Sequence, residues 1–216
     1  MPLAAQGGMG RGDPTNTVQG TGVLPKGWEL RFDPARGRQP APPMTAVSFV
    51  TMGTGFHITG GPAAIYFRTA DVEKGNFTVT AKFVAAKSMV NEAYGVFIGG
   101  QHLQDSTQSY LYLVIRPKDG GVYIQHRGSD ARPSAAAALL PWTPNAAVNK
   151  DDPADGHSTN EVGIQTTKDS VLFWVNGKHV FGLARAALNG IATDGQVGMR
   201  VNHNIDIHVD NFTVKK

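Results

Sequence analysis

From Arg200 to Asp210 polar and apolar residues alternate singly. Val201, His203, Ile205, Ile207 and Val209 fall on one side, and Arg200, Asn202, Asn204, Asp206, His208 and Asp210 on the other. A period of two is that of a β-strand with one face buried. One strand is therefore expected here, its first set in a core and His203 among them as a buried, hydrogen-bonded imidazole. Just upstream, β-rich runs at 172–175 and 179–181 meet at Asn176-Gly177, the dipeptide best suited to the positive-φ positions of a tight hairpin turn. Residues 110–116 alternate as well. Leu111, Leu113 and Ile115 read as core, with Tyr110, Tyr112, Val114 and Arg116 on the other face.

The same pattern predicts strands at 28–32, 56–58, 64–68, 77–85, 93–99, 109–116, 121–127 and 161–166, besides the two terminal segments. Pro34, Pro40, Pro42 and Pro43 enforce a loop after the first of these. Helix is expected only at 135–140, with a short turn at 183–188. One strand for every eight to twelve residues, separated by Gly or Pro, is the spacing of a sandwich. The fold class expected is all-β: a two-sheet, antiparallel jelly-roll β-sandwich. Residues 1–24, rich in Gly, Thr and Asn, read as a flexible segment, and 25–216 as a single domain.

Composition agrees with that picture. The 216 residues include 26 glycines and 13 prolines, and only 17% are charged, which suits short strands joined by turns. A net charge of +3 carried by scattered basic residues gives no electrostatic footprint for nucleic acid. No apolar run approaches the roughly twenty residues that span a bilayer, so no membrane insertion is expected. Cysteine is absent, which excludes disulfides and thiolate chemistry. The opening MPLAAQGGMGRGDPTNTVQG lacks the regions of a signal peptide. Leu3-Ala4-Ala5-Gln6 nevertheless reads as the remains of a cleavage site behind an added Met1. That predicts a secreted or periplasmic protein, the alternative being a cytoplasmic one with a flexible start.

Candidate chemistry gathers on one hairpin. If Val122 and Ile124 join the core, Tyr123, Gln125 and Arg127 lie beside Tyr112 and Arg116. Sugar C–H groups stack on aromatic planes, and hydroxyls take planar amide and guanidinium partners. Cross-strand Tyr–Arg packing without a ligand gives the same pattern. Trp142, held between Pro141 and Pro144, is expected in a loop that closes one end of the site, or else as a plug in the sandwich edge. If hydrolysis occurs, Glu92 and Glu161 are the first candidates for acid and base. The histidines are dispersed, so no transition-metal site is expected. Asn149, Asp151, Asp152 and Asp155 offer oxygen atoms of the kind calcium takes, although their spacing departs from the helix–loop–helix calcium site. Otherwise no cofactor is implied.

The segments GVFIGG at 95–100, YLYLVIR at 110–116, the VNG turn within 171–177, and 198–214 with its VDNFTV ending resemble the concanavalin A-like lectin and glucanase superfamily. Within it the chain is similar to secreted bacterial domains of the 3-keto-disaccharide hydrolase-like, family 16-type glycoside hydrolase kind. The resemblance implies two curved sheets, the concave one meeting a saccharide. The Glu-x-Asp-x-x-Glu strand of the true β-glucanases has no counterpart here. Two functions remain open: a carbohydrate-active domain that binds, and with suitable carboxylates hydrolyses, a glycan or modified disaccharide, or a lectin-like or cell-wall interaction module with no catalysis. Nothing in the residues indicates an oligomeric state.

Overall fold

The computed structural model describes residues 19–34, 40–87, 91–129 and 138–216. Over these the chain is an antiparallel β-sandwich. In chain order the strands are β1 (Trp28–Phe32), β2 (Ser48–Met52), β3 (Gly55–Gly60), β4 (Ala64–Glu73), β5 (Phe77–Ala85), β6 (Tyr94–Gln101) and β7 (Ser109–Arg116). They continue as β8 (Gly121–Arg127), β9 (Leu140–Pro144), β10 (Ser158–Thr166), β11 (Ser170–Val175), β12 (Lys178–Ala184), β13 (Gly195–Val201) and β14 (Ile205–Lys215). Short 3-10 turns lie at Met44–Ala46 and Arg185–Leu188. The first sheet runs β1-β4-β13-β6-β7-β8-β9 and the second β12-β11-β10-β5-β14-β3-β2, seven strands each. No helix among the described residues is long and apolar enough to cross a membrane.

Alternation explains the core. β5 buries Phe77, Val79, Ala81, Phe83 and Ala85 and turns the residues between them outward. From the opposite sheet Leu111, Leu113, Ile115, Val122 and Ile124 meet them, all fully enclosed. Each such aliphatic side chain contributes roughly 1.5–3 kcal/mol on leaving water. The hairpin expected at Asn176-Gly177 forms between β11 and β12, with φ of 49° and 71° at the two turn residues. Asn176 does more than turn the chain. Its side-chain amide donates to Ala147 O and Asn160 Oδ1, both at 2.8 Å, and its Oδ1 accepts from Glu161 N at 2.8 Å.

The alternating run at 200–210 is two strands rather than one. β13 closes in the first sheet at Val201, and β14 opens in the second at Ile205. The turn between them is held by Asn202 N donating to Ala93 O and Asn204 N to Gly61 O, at 2.9 Å each, with Asn204 at φ 50°. The alternation survives because Val201 faces the core from one sheet while Ile205, Ile207 and Val209 face it from the other. His203, expected in the core, sits on that turn with its side chain 58% exposed. At Asn211 (φ 48°) the register of β14 shifts against β5 and the strand bends without ending.

Two strands escaped the sequence pattern, β2 and β9. The segment expected as helix at 135–140 lies outside the described residues up to 137, and Leu140 opens β9. Trp142 is thus an edge-strand residue where a loop was expected. Of the segment read as flexible, residues 1–18 lie outside the description. Gly20 N donates to Thr45 O at 2.8 Å, and Leu24 packs against the core.

Candidate functional site

The β7–β8 hairpin builds one flank of the first sheet's outer face. Its register sets Tyr110 opposite Arg127, Tyr112 opposite Gln125, Val114 opposite Tyr123 and Arg116 opposite Gly121. With the aliphatic set turned inward, these polar and aromatic residues share the outer surface. Rings follow one another across the strands. Phe97 and Tyr110 are 5.1 Å apart between centroids, Tyr110 and Tyr112 5.7 Å, and Tyr112 and Tyr123 6.2 Å. Tyr123 stacks on Trp142 at 5.0 Å with 26° between planes. Gly121 makes room for that indole: a Cβ there would stand 3.0 Å from the Trp142 ring.

Hydrogen bonds hold the flank still. Tyr112 and Tyr123 both donate their hydroxyl protons to Gln125 Oε1, at 3.0 and 2.7 Å. Burial pushes both phenols above their ordinary value, so they remain neutral donors. Arg116 is clamped by Asp119 in the hairpin turn, Nε to Oδ1 at 3.0 Å and Nη2 to Oδ2 at 2.5 Å. The bond from Arg116 is the main reason the Asp119 carboxyl is held below the usual range. The Arg116 guanidinium lies 4.1 Å from the centroid of the Trp142 ring, a cation–π contact.

The other flank is closed. Ile65, Phe67, Phe97 and Tyr110 lie on the same outer face yet are almost wholly buried, because the loop after β6 lays Leu103 over them. Arg31 fixes that loop by donating from Nη1 to Leu103 O at 3.0 Å and to Asp105 O. At the boundary between flanks sits Arg200, 7% exposed. It grips both oxygens of Asp33, at 2.5 and 2.6 Å, and reaches the Tyr110 hydroxyl at 3.2 Å. Burial raises the Asp33 carboxyl, and the charge and hydrogen bonds of Arg200 outweigh it, so the carboxyl titrates below its ordinary value. Arg127, beyond Tyr110, is half-buried, and its enclosed Nε has no hydrogen-bond partner among the described residues. A buried donor left without an acceptor costs about 1–3 kcal/mol.

The structure brings together Tyr112, Arg116, Tyr123, Gln125, Arg127 and Trp142. Trp142 is 37% exposed at the open side, so it borders the surface and does not plug the sandwich. Glu92 and Glu161 are not brought together. Glu92 lies in a small recess at the end of the sandwich with Tyr94, Lys118 and Asp151, and its carboxylate is 3.5 Å from His203. Glu161 is exposed on the outer face of the second sheet, opposite Lys82 in register. Among the described residues no group of three His, Cys, Asp or Glu side chains could hold a metal ion. In the acidic loop Asp152 and Asp155 accept from Ala154 N and His157 N of the loop itself.

Sequence reasoning missed Asp33, Arg200 and Asp119. Asp119 had a signal, since an Asp-Gly pair three residues after Arg116 marks a turn whose carboxylate can reach back. The alternation put Arg200 on the correct face without showing that it is buried there.

No protein-family model matches the chain, and no curated protein matches it in sequence. Solved structures do. A carbohydrate-binding module, CBM66, from Bacillus subtilis superposes with a TM-score of 0.60 at 10% identity, over 88% of this chain and 96% of that one. A Bacillus subtilis protein of unknown function with a galectin-like fold gives 0.59 at 11% identity, over 93% of each chain. A family 16 endo-glucanase from Bacteroides ovatus gives 0.56 at 10% identity, over 90% of this chain and 96% of that one. At such identities the likeness establishes the fold alone, the two-sheet antiparallel jelly-roll β-sandwich expected from the sequence.

Proposed function

We propose that this protein binds a saccharide on the outer face of its first sheet, over Tyr112, Tyr123 and Trp142. One observation carries the reading. Three aromatic rings line the open flank beside an amide and the guanidinium of Arg116; hydrogen bonds hold Tyr112, Tyr123 and Arg116, and stacking holds Trp142. Sugars are bound by ring stacking and planar hydrogen-bond partners, and a surface arranged before the ligand arrives spares the entropy of ordering it. The structural neighbours add support: one is by name a carbohydrate-binding module, and another is an endo-glucanase. Glu92 and Glu161 do not face each other across this surface, so the reading is of binding, without a hydrolytic step.

The test is a glycan array followed by titration calorimetry of each hit. Trp142→Ala and Tyr123→Ala should each weaken binding about tenfold or more, in line with roughly 1.4 kcal/mol per tenfold. Because Trp142 is exposed, its variant should melt close to the parent. Unchanged affinity in both variants would move the ligand off this face, and an empty array would remove the reading.

A further inference from the structure

Three arginines face outward across the open flank and its boundary, and two of them are spent. Arg116 gives both its bonds to Asp119. Arg200 takes both oxygens of Asp33 and the Tyr110 hydroxyl. Arg127 stands opposite Tyr110 in register; its enclosed Nε lacks an acceptor, as does that of Arg200, but unlike Arg200 it has no carboxylate bound to its guanidinium among the described residues. Asp33 is close enough for the charge of Arg127 to help hold its carboxyl down, yet its oxygens are committed to Arg200. Two guanidinium groups therefore share one carboxylate, and among the described residues the positive charge of Arg127 is left without an ion pair of its own beside the aromatic row, its terminal Nη1 and Nη2 forming the fork that a ligand could meet.

That remainder selects a ligand. A neutral hydroxyl would satisfy one N–H and leave the charge unmatched. A planar carboxylate answers the charge and accepts two parallel bonds from the fork. Arg127 lies four residues from Tyr123 along β8, roughly 13 Å at the ordinary rise of a strand. The sugar stacked on the rings and the charged sugar are then different units of one oligosaccharide. We infer that the saccharide bound by this face carries a uronic acid, whose carboxylate is received by Arg127; the inference rests on the saccharide reading above.

Calorimetry on the full chain tests it with trisaccharides of galacturonate, glucuronate and mannuronate and their carboxyl-reduced counterparts. The parent should bind at least one acidic trisaccharide tenfold or more tighter than its reduced form. Arg127→Gln should bind the two forms alike, at the level of the reduced one. Arg127→Lys should fall between, since it keeps the charge and loses the fork. If the parent binds acidic and reduced forms equally, or only neutral sugars, the uronate inference fails and saccharide binding stands. If Arg127→Gln retains the acidic preference, the carboxylate is received elsewhere and the role of Arg127 is overturned. A parent that binds no trisaccharide and no arrayed glycan overturns both. The parent's own comparison of acidic with reduced sugars does not depend on any variant folding.

Discussion

The Arg200–Asp33 pair allows a prediction with a built-in order. Arg200 has only 8% of its side chain exposed, and Asp33 has 26%. Removing one partner of a buried pair costs about 3–5 kcal/mol, because the other charge is left in a poor solvent. Arg200→Met strands the better hydrated partner, the carboxylate, and also the hydroxyl of buried Tyr110, so its loss belongs near 3 kcal/mol. Asp33→Asn strands the deeper charge and belongs nearer 5. At about 2–4 °C per kcal/mol for a chain of this size, the melting temperature should fall by roughly 6–12 °C for Arg200→Met and further for Asp33→Asn. In the double variant neither charge is stranded, so its loss should be smaller than the sum of the two. Urea unfolding of all four proteins measures each term. The Asp33 carboxyl titrates below its unfolded value, so its contribution is complete above that value and is lost as pH falls through the folded one. The penalty of Asp33→Asn should therefore be full at about pH 6 and shrink below about pH 4. Losses under about 1 kcal/mol, the reverse order, or a penalty indifferent to acid would each refute the argument.

Other consequences can be checked on the same material. Ile207→Ala, at a position with no exposed surface, should cost about 2–5 kcal/mol in urea unfolding. Asn176→Gly keeps the positive φ of the turn while removing three side-chain hydrogen bonds, so denaturation should show a loss of about 2–4 kcal/mol at 0.5–1.5 kcal/mol per bond. Affinity for a neutral oligosaccharide should stay flat as pH rises to the ordinary phenol value of about 10, because burial pushes the Tyr112 and Tyr123 phenols upward. A decline in calorimetric affinity between about pH 8 and 10 would contradict that.

Strands in the interior of a sheet were legible where one face is buried and the other is not, as on β5 and β11. The edges were not. On β2, Phe49 is buried while Val50 and Met52 point to solvent, so apolar residues occupy both faces and the period is lost. β9 carries Pro141 and Pro144, which read as loop punctuation but are tolerated on an edge, where one row of N–H groups has no partner to serve. Apart from Trp142 on β9, the residues of the open flank could be read because they sit on one hairpin, where register follows from turn and alternation. The boundary could not. Asp33 and Arg200 are separated by 167 positions, and nothing local on either side announces the other.

The sheet orders carry a consequence for how the chain comes to be folded. β13 and β14 occupy inner positions, the first between β4 and β6 and the second between β5 and β3. Until Gly195–Val201 and Ile205–Lys215 have left the ribosome, four strands made earlier have an open edge with no neighbour. Pairing so distant in the chain closes slowly, and unpaired edges invite association with other chains. Synthesis halted before residue 195 should yield an aggregation-prone product, because both sheets wait for β13 and β14 before they can close.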